Sequence, residues 1–245
     1  MTLYLKKNKK PTIVTGGNGR FGKILKNKGY KNFLYPNKKI FDITNLSSIE
    51  RYVKKVRPNK ILHLAGLSRP LKMHETNPAK SILLNIIGTS NLVIVCKKYN
   101  VKIVYFSTSY VYPGIKGNYK ESDSLLPLNN YAWSKLGGEC AVHMYKNSLI
   151  LRCCMTEKPF VHKYAFSDVY LNFIFQDEIA NFLPKLINKK GIINVGGPTN
   201  SVYKFAKINN PKVKKISSKK IKDVNYKKNM SMNIKNLEKL INKKL

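Results

Sequence analysis

The sequence predicts an α/β fold built on a doubly wound parallel sheet, with a small, partly C-terminal second lobe. Two observations lead there. An apolar, β-branched run, Ile13–Thr15, enters a turn rich in glycine (Gly16, Gly17, Gly19, Gly22), and a helical segment through Lys23, Ile24, Leu25 and Lys26 leaves it. Beyond it, short apolar runs and helical patterns alternate as far as Cys153, the order that builds a parallel sheet covered on both faces. The 245 residues, 43% hydrophobic, suffice for one large α/β domain or one with a small appendage.

After the glycine turn and first helix, Asn32–Tyr35 reads as a second strand. Leu46, Ile49, Val53 and Val56 have helical spacing, with Asn45 as the cap and Ser47 and Ser48 in the first turn. Lys60–Ala65 is the third strand. Pro78 opens a long apolar helix running toward Tyr99. Val101–Ser107 is the fourth strand, and a polar loop with Pro113, Gly114, Gly117 and Pro127 follows it. Asn129–Tyr145 reads as a helix and Ser148–Cys153 as the fifth strand. The rest is less regular: a helix over Asp177–Ile187, a strand over Gly191–Val195, a short helix capped by Ser201, a basic exposed run over Lys212–Lys228 and a terminal helix over Asn233–Leu245. This makes residues 1–153 a dinucleotide-binding core of Rossmann type that includes the helix after strand four. Residues 154–245 form a substrate lobe with returning sheet elements and the C-terminal helix.

The balance of 46 Lys+Arg against 12 Asp+Glu gives a net charge of +34. Such a field attracts any polyanion. The lysines are spread along the chain rather than gathered in one basic tract, so specific nucleic-acid binding is not expected, while an anionic nucleotide suits the field. Cys96, Cys140, Cys153 and Cys154 lack metal-ligand spacing and read as reduced thiols of a cytoplasmic protein. His63, His74, His143 and His162 are scattered, so no metal site is expected. The basic N-terminus lacks the apolar stretch of a signal peptide, and no run reads as long and apolar enough to cross a bilayer.

Glycines let a backbone turn tightly and approach a phosphate, and the helix that starts there points free N–H groups at the anion. Gly16, Gly19 and Gly22 are spaced G-x-x-G-x-x-G. Gly17–Lys23 also reads as most of a P-loop, but that loop needs Ser or Thr for its metal ion, and Ile24 stands there. Tyr131 and Lys135 lie four apart on one helix face, where an ammonium would favour the phenolate and lower the tyrosine's pKa. They follow Ser107, Thr108 and Ser109 at the carboxyl end of strand four, the edge where open α/β sheets bind ligands.

Over nearly its whole length the chain resembles the extended short-chain dehydrogenase/reductases, which act on nucleotide sugars. Thr15–Gly22 is similar to the family's T-G-x-x-G-x-x-G. Asp42, in FDIT, matches the acid that contacts adenine. His63–Leu67, HLAGL, is close to a segment of the nucleotide-sugar 4-epimerases. Asn85, Gly88 and Thr89 match N-x-x-G-T, and Ser107–Tyr112, STSYVY, matches the strand-four motif. Tyr131, Ser134 and Lys135 match Y-x-x-S-K, and Gly191–Pro198 is similar to the late strand.

The resemblance implies a catalytic set of Thr108, Tyr131 and Lys135. Tyr131 would move the proton, Lys135 would hold the nicotinamide ribose and tune Tyr131, and Thr108 would hydrogen-bond the substrate oxygen. It implies a dinucleotide held by Gly16, Gly19, Arg20, Phe21, Gly22, Asp42, Ile43, Leu64, Ala65, Gly66 and Asn85 together with Tyr131 and Lys135. On the substrate side stand Ser68, Arg69, Thr108, Ser109 and Arg152, the last facing a pyrophosphate. A homodimer through a helix pair that includes the tyrosine helix is also implied.

Within the family, Thr108-Ser109-Tyr110 lacks the two carboxylates of the dehydratases. STSYVYPG is more similar to the dTDP-4-dehydrorhamnose reductase-like group, whereas HLAGL leans toward a 4-epimerase; a non-catalytic dinucleotide-binding protein is a further alternative. No carboxylate follows strand two over Tyr35–Lys39, and Arg20 sits in the glycine loop, which favours NADP(H) and leaves NAD(H) possible.

Overall fold

The computed structural model describes residues 10–221 and 228–245. The basic N-terminal segment through residue 9 and part of the basic run 212–228 lie outside them. Six strands form one parallel sheet: β1 (Thr12–Thr15), β2 (Phe33–Leu34), β3 (Lys60–His63), β4 (Lys102–Thr108), β5 (Ser148–Cys153) and a sixth, Gly191–Val195. Their order is sixth strand, β5, β4, β3, β1, β2. The connections change direction between β1 and β3. The loops leaving these two strands therefore part at the carboxyl edge and open a crevice there.

Neighbouring residues of each strand point to opposite faces, and the sequence supplies an apolar residue for each. Ile13, Ile61, Ile103 and Ile150 face one core, against Ile49 and Val53 of α2 (Leu46–Val56) and Leu92 and Val95 of the long helix Pro78–Lys98. Val14, Leu62, Val104 and Leu149 face the other, against Leu25 of α1 (Arg20–Asn27), Ile179 and Leu183 of the helix Gln176–Leu186, and Leu237 of the terminal helix Lys235–Ile241. Each such side chain contributes about 1.5–3 kcal/mol by leaving water. The sheet is thus doubly wound, as the alternating pattern predicts.

Caps fix the element ends. Asn45 Oδ1 accepts from the Ser48 amide at 2.9 Å, Asn129 Oδ1 from Ala132 at 2.9 Å and Ser201 Oγ from Lys204 at 3.1 Å. The basic run is less exposed than its composition suggests. Val213 and Ser218 are buried, Lys214–Ile216 pairs with Tyr164–Phe166, and the Asp168 carboxylate takes the Ser217 and Ser218 hydroxyls.

The long helix corrects one expectation. At 21 residues and a mean hydropathy of 1.6 it is long and apolar enough, by length and composition alone, to cross a bilayer. Its polar residues break up the apolar run in sequence but turn inward: Asn85 and Thr89 are buried and Asn91 donates to the Ile43 carbonyl at 3.1 Å. It packs on the sheet as a core helix does and leaves Ile82, Leu83, Ile87 and Ile94 exposed. A third apolar cluster, with Tyr112, Tyr119, Phe160, Leu171, Val202 and Met232, forms a small lobe beyond the carboxyl edge. It draws on the loop after β4 as well as on residues after Cys153. Of the aromatics after Thr156, Phe160 fills this core while Tyr164 and Tyr170 are exposed.

The glycine turn tolerates no side chain at its centre. Gly16 has φ +68°, and a Cβ there would lie 2.7 Å from the Ala65 nitrogen. A Cβ on Gly22 would lie 2.6 Å from the Gly16 carbonyl oxygen and 2.7 Å from Gly17 Cα, all backbone. Gly22→Ala is therefore expected to destabilise the chain by about 1–3 kcal/mol, read as a lower urea midpoint at unchanged slope.

Candidate active site

The floor of the crevice is a run of buried polar groups. Thr15 Oγ1, at the end of β1, accepts from the Leu64 and Ala65 amides at 3.1 and 3.0 Å. Its proton is then free for His63 Nδ1, 2.9 Å away. On the other side of the ring, His63 Nε2 meets Thr89 Oγ1 at 2.9 Å, and that hydroxyl gives its own proton to the Asn85 carbonyl at 2.7 Å. The network leaves one assignment, a neutral imidazole protonated on Nε2. Burial, assisted by the Lys135 charge, holds this ring's pKa down to about 3. His63 is a strut between β1, β3 and the long helix.

Asn85 lies on a π-helical turn, Ile82–Ile87, inside the long helix. Its Oδ1 accepts from the Leu67 amide at 2.7 Å, and its Nδ2 donates to the Leu67 carbonyl and to Ser134 Oγ, both at 2.8 Å. Ser134 in turn donates to the Tyr131 carbonyl at 2.7 Å. Asn85, expected among the cofactor contacts, thus spends its carboxamide bracing the loop after β3 against the tyrosine helix, Asn130–His143.

Thr108, Tyr131 and Lys135 come together at the carboxyl edge. Thr108 ends β4 opposite Cys153, where its Oγ1 accepts from the Tyr110 amide at 3.3 Å, and it pulls the Tyr131 pKa down. The Tyr131 ring is walled edge-on by His74, 5.1 Å between centroids, and Tyr110, at 6.5 Å. Lys135 is buried with its Nζ 4.0 Å from the Tyr105 ring centroid. The protonation differs from the expectation drawn from spacing. Burial outweighs every other influence on Tyr131 and pushes its phenol up to about 12, although Thr108, Arg69 and Arg20 pull the other way. Burial likewise brings Lys135 down to about 7, against Glu139 and Cys153. A half-charged ammonium turned to an aromatic face does not convert its neighbour into a phenolate.

Around β1, a cavity of about 200 Å³ is lined by Gly16, Gly17, Gly19, Pro36, Lys38, Asp42, Ile43 and Ala65 among others. It gathers five of the residues expected to hold a dinucleotide. Asp42 Oδ1 is engaged by the Thr44 amide and hydroxyl, and Lys38 stands 3.7 Å from its other oxygen. Gly66 leads out of β3 at φ +156°, and a Cβ there would meet Asn85 Oδ1 at 2.7 Å. Phe21 and Leu64 do not reach the cavity: Phe21 stacks edge-on with Phe106 in the core, and Leu64 packs on the same cluster. Across the mouth, Glu157 Oε1 accepts from Arg20 at 2.6 Å and Arg69 at 2.9 Å, with Ser68 exposed beside it.

Two substrate-side expectations are corrected. Arg152 faces no cleft: it is 3% exposed and donates through Nε and Nη2 to Glu139 Oε1 at 3.0 and 2.6 Å. Its Nη1 reaches the Tyr112 hydroxyl at 2.8 Å and the Glu121 carbonyl at 3.0 Å. The reason is the carboxylate one turn beyond Lys135, which captures the guanidinium inside. Ser109 is buried too, under the end of β4. Conversely, Glu157, His74, Tyr110 and Glu139 are not among the site residues the sequence suggests; of these, only Glu139, four residues after Lys135, carries a readable signal. Among the described residues no group of three or more His, Cys, Asp or Glu side chains is placed to hold a metal ion.

A family model described as the RmlD substrate binding domain matches residues 10–156. The chain belongs to this family. It is 30% identical to a GDP-6-deoxy-D-talose 4-dehydrogenase of Aggregatibacter actinomycetemcomitans, over 81% of this chain and 66% of that protein. It is also 30% identical to a dTDP-4-dehydrorhamnose reductase of the same organism, over 59% of this chain and 51% of that one. The chain therefore spans less than two thirds of the length of these curated relatives. Its fold is shared with a dTDP-4-dehydrorhamnose reductase of Bacillus anthracis solved with NADP, at TM-score 0.81 and 24% identity, over 97% of this chain and 93% of that one.

Within the span matched to the RmlD family, the Glu139–Arg152 pair is buried on both sides. Removing one member strands a charge, at about 3–5 kcal/mol. Glu139→Leu and Arg152→Met are each expected to lower the melting temperature sharply, and the double variant by less than the sum of the two. Additive losses would show that the pair is not a unit.

Proposed function

We propose that this chain is an NAD(P)-dependent reductase of a nucleotide-linked 4-keto-6-deoxy sugar, with NADPH the favoured cofactor. The observation that carries this is that Thr108, at the carboxyl end of β4, acts on the Tyr131 phenol, with buried Lys135 one turn further on the same helix as Tyr131. The residues present suit a dinucleotide. The N-terminus of α1 has no side-chain cap and no acid in its first turn, so its amide donors point out of the glycine turn toward an anion. Asp42, Ile43 and Ala65 line the adjoining cavity, where adenosine would lie. The loop after β2 offers Lys38 and Lys39 and no carboxylate, which suits a 2′-phosphate. The related reductase solved with NADP agrees with this choice.

A bound nicotinamide dinucleotide supplies a hydride to the sugar C4 carbon. The chain's own residues handle the oxygen and the proton. Thr108 Oγ1 hydrogen-bonds the C4 oxygen and aims it at Tyr131. The Tyr131 phenol, held up at about 12, keeps its proton throughout the neutral range and is built to donate it. Lys135 holds the ribose end of the cofactor and, when charged, eases the phenol's loss of its proton. His74 and Tyr110 keep water from the phenol. The HLAGL segment that resembles epimerases supplies the His63 strut rather than a group at the reacting carbon, so its likeness does not favour an epimerase.

NADPH oxidation, followed by absorbance on adding a dTDP- or GDP-linked 4-keto-6-deoxy sugar, tests this reading. Tyr131→Phe is expected to lower kcat by about 10²–10⁴-fold. Because Lys135 is protonated below about pH 7 and neutral above it, kcat/KM is expected to decline as pH rises through that value. Folded protein that binds NADPH but oxidises none would overturn the reductase.

The outer faces of the long helix and the tyrosine helix support a homodimer. Ile82, Leu83 and Ile87 on one and Trp133 on the other are exposed, and a contiguous apolar face of this kind marks an interface. Sedimentation velocity should show a dimer, and Trp133→Lys a monomer. A wild-type chain that sediments as a monomer at all concentrations removes this part of the reading.

A further inference from the structure

One acid stands where the chain has set two guanidinium groups across the mouth of the crevice. Arg20 opens α1, Arg69 follows β3 and Glu157 follows β5 with its short extension, so three separate segments meet at one carboxylate oxygen, at 2.6 and 2.9 Å. The placement is locally unfavourable. A cation at the first position of a helix opposes the helix dipole, and this helix carries no acid in its first turn to offset it. Both guanidinium groups act on the Tyr131 phenol, so they stand at the reacting end of the crevice. Glu157 Oε1 takes both arginines, and the three side chains are 36–52% exposed. Exposed pairs of this kind contribute only about 0.2–1 kcal/mol each. A phosphate binds guanidinium groups more strongly, through parallel charge-assisted bonds.

We propose that Glu157 is an internal competitor that holds Arg20 and Arg69 together until the diphosphate group of an incoming nucleotide takes its place on both. This rests on the reading of the crevice as a site for nucleotides. A diphosphate carries more charge than one carboxylate and offers a separate phosphate group to each guanidinium; a monophosphate offers only one and competes with Glu157 less well. The acid therefore raises the threshold for occupancy of the mouth. The diphosphate belongs either to the dinucleotide cofactor or to the sugar nucleotide, and both chemistries are the same at the arginines.

Titration calorimetry on the full chain separates these cases, with NADPH in one arm, dTDP, UDP and GDP in a second, and dTMP as the single-phosphate probe. Glu157→Gln keeps the size of the side chain and removes its charge at an exposed position. It is expected to bind the diphosphate that seats on the arginines about two- to fivefold more tightly, with dTMP changed less. Adding Arg69→Gln to Glu157→Gln is expected to cancel the gain. Tightening confined to NADPH assigns the pair to the cofactor; tightening confined to a nucleoside diphosphate assigns it to the sugar nucleotide. Unchanged or weaker binding of all of them by Glu157→Gln, in protein that melts like wild type, overturns the proposal and leaves the reductase reading intact. Wild-type protein that binds neither NADPH nor any of the nucleotides overturns both.

Discussion

The placement of the reactive residues depends on one buried carboxamide. Asn85 makes two bonds to the Leu67 backbone and one to Ser134, and Ser134 holds the Tyr131 carbonyl. Breaking any of these would leave a buried polar group unpaired, which costs about 1–3 kcal/mol. The loop after β3, the long helix and the tyrosine helix are therefore locked to a single arrangement. The glycines around Asn85 answer the same demand. A Cβ on Gly138 would lie 2.5 Å from the Asn85 carbonyl oxygen, so only glycine lets the two helices approach this closely. The π turn that carries Asn85 belongs with it, since such turns serve to redirect one side chain within an otherwise regular helix.

Once the side chains are locked, burial decides their charges. Tyr131 keeps its proton and Lys135 is half inclined to lose its own, because both forms that would be charged sit away from water. This suits the proton donor proposed at Tyr131. It also works against folding. Between about pH 7 and the ordinary lysine value, the unfolded chain binds a proton at Lys135 that the folded chain does not. Below that window the ammonium is forced to stay charged in a poor environment. For this group alone stability therefore rises with pH across the window. The Tyr105 ring face 4.0 Å from Nζ returns part of what burial takes away.

What the sequence revealed was whatever depends on neighbours along the chain. The strand-turn-helix at Ile13–Lys26, the α2 span with its Asn45 cap, and β5 at Ser148–Cys153 are local patterns of period and capping, and they stand where the pattern put them. The inward turn of Asn85, Thr89 and Asn91 was hidden because hydropathy along a helix does not record which face meets the sheet. Arg152 was misread for a related reason. An arginine at the end of a strand has the reach to meet a phosphate or a carboxylate, and only the fold brings Glu139 within 2.6 Å. The spacing of Tyr131 and Lys135 fixed their shared helix face but said nothing of His74 and Tyr110, whose rings stand edge-on against the Tyr131 ring.

The charge of the chain bears on the crevice in a way its motifs do not. With a net charge of +34, attraction of anions is unselective and needs no special site. Selectivity in such a field comes from interactions that disfavour the wrong partner. Glu157 stands at the one point where Arg20 and Arg69 converge on the mouth. A carboxylate there raises the threshold for any anion that seats on both guanidinium groups, because such an anion must displace Glu157 from each. A site in an acidic or neutral chain would gain little from such a residue. In a chain this basic, removing attraction at the entrance is what lets the shape of the ligand, rather than its charge, determine what enters.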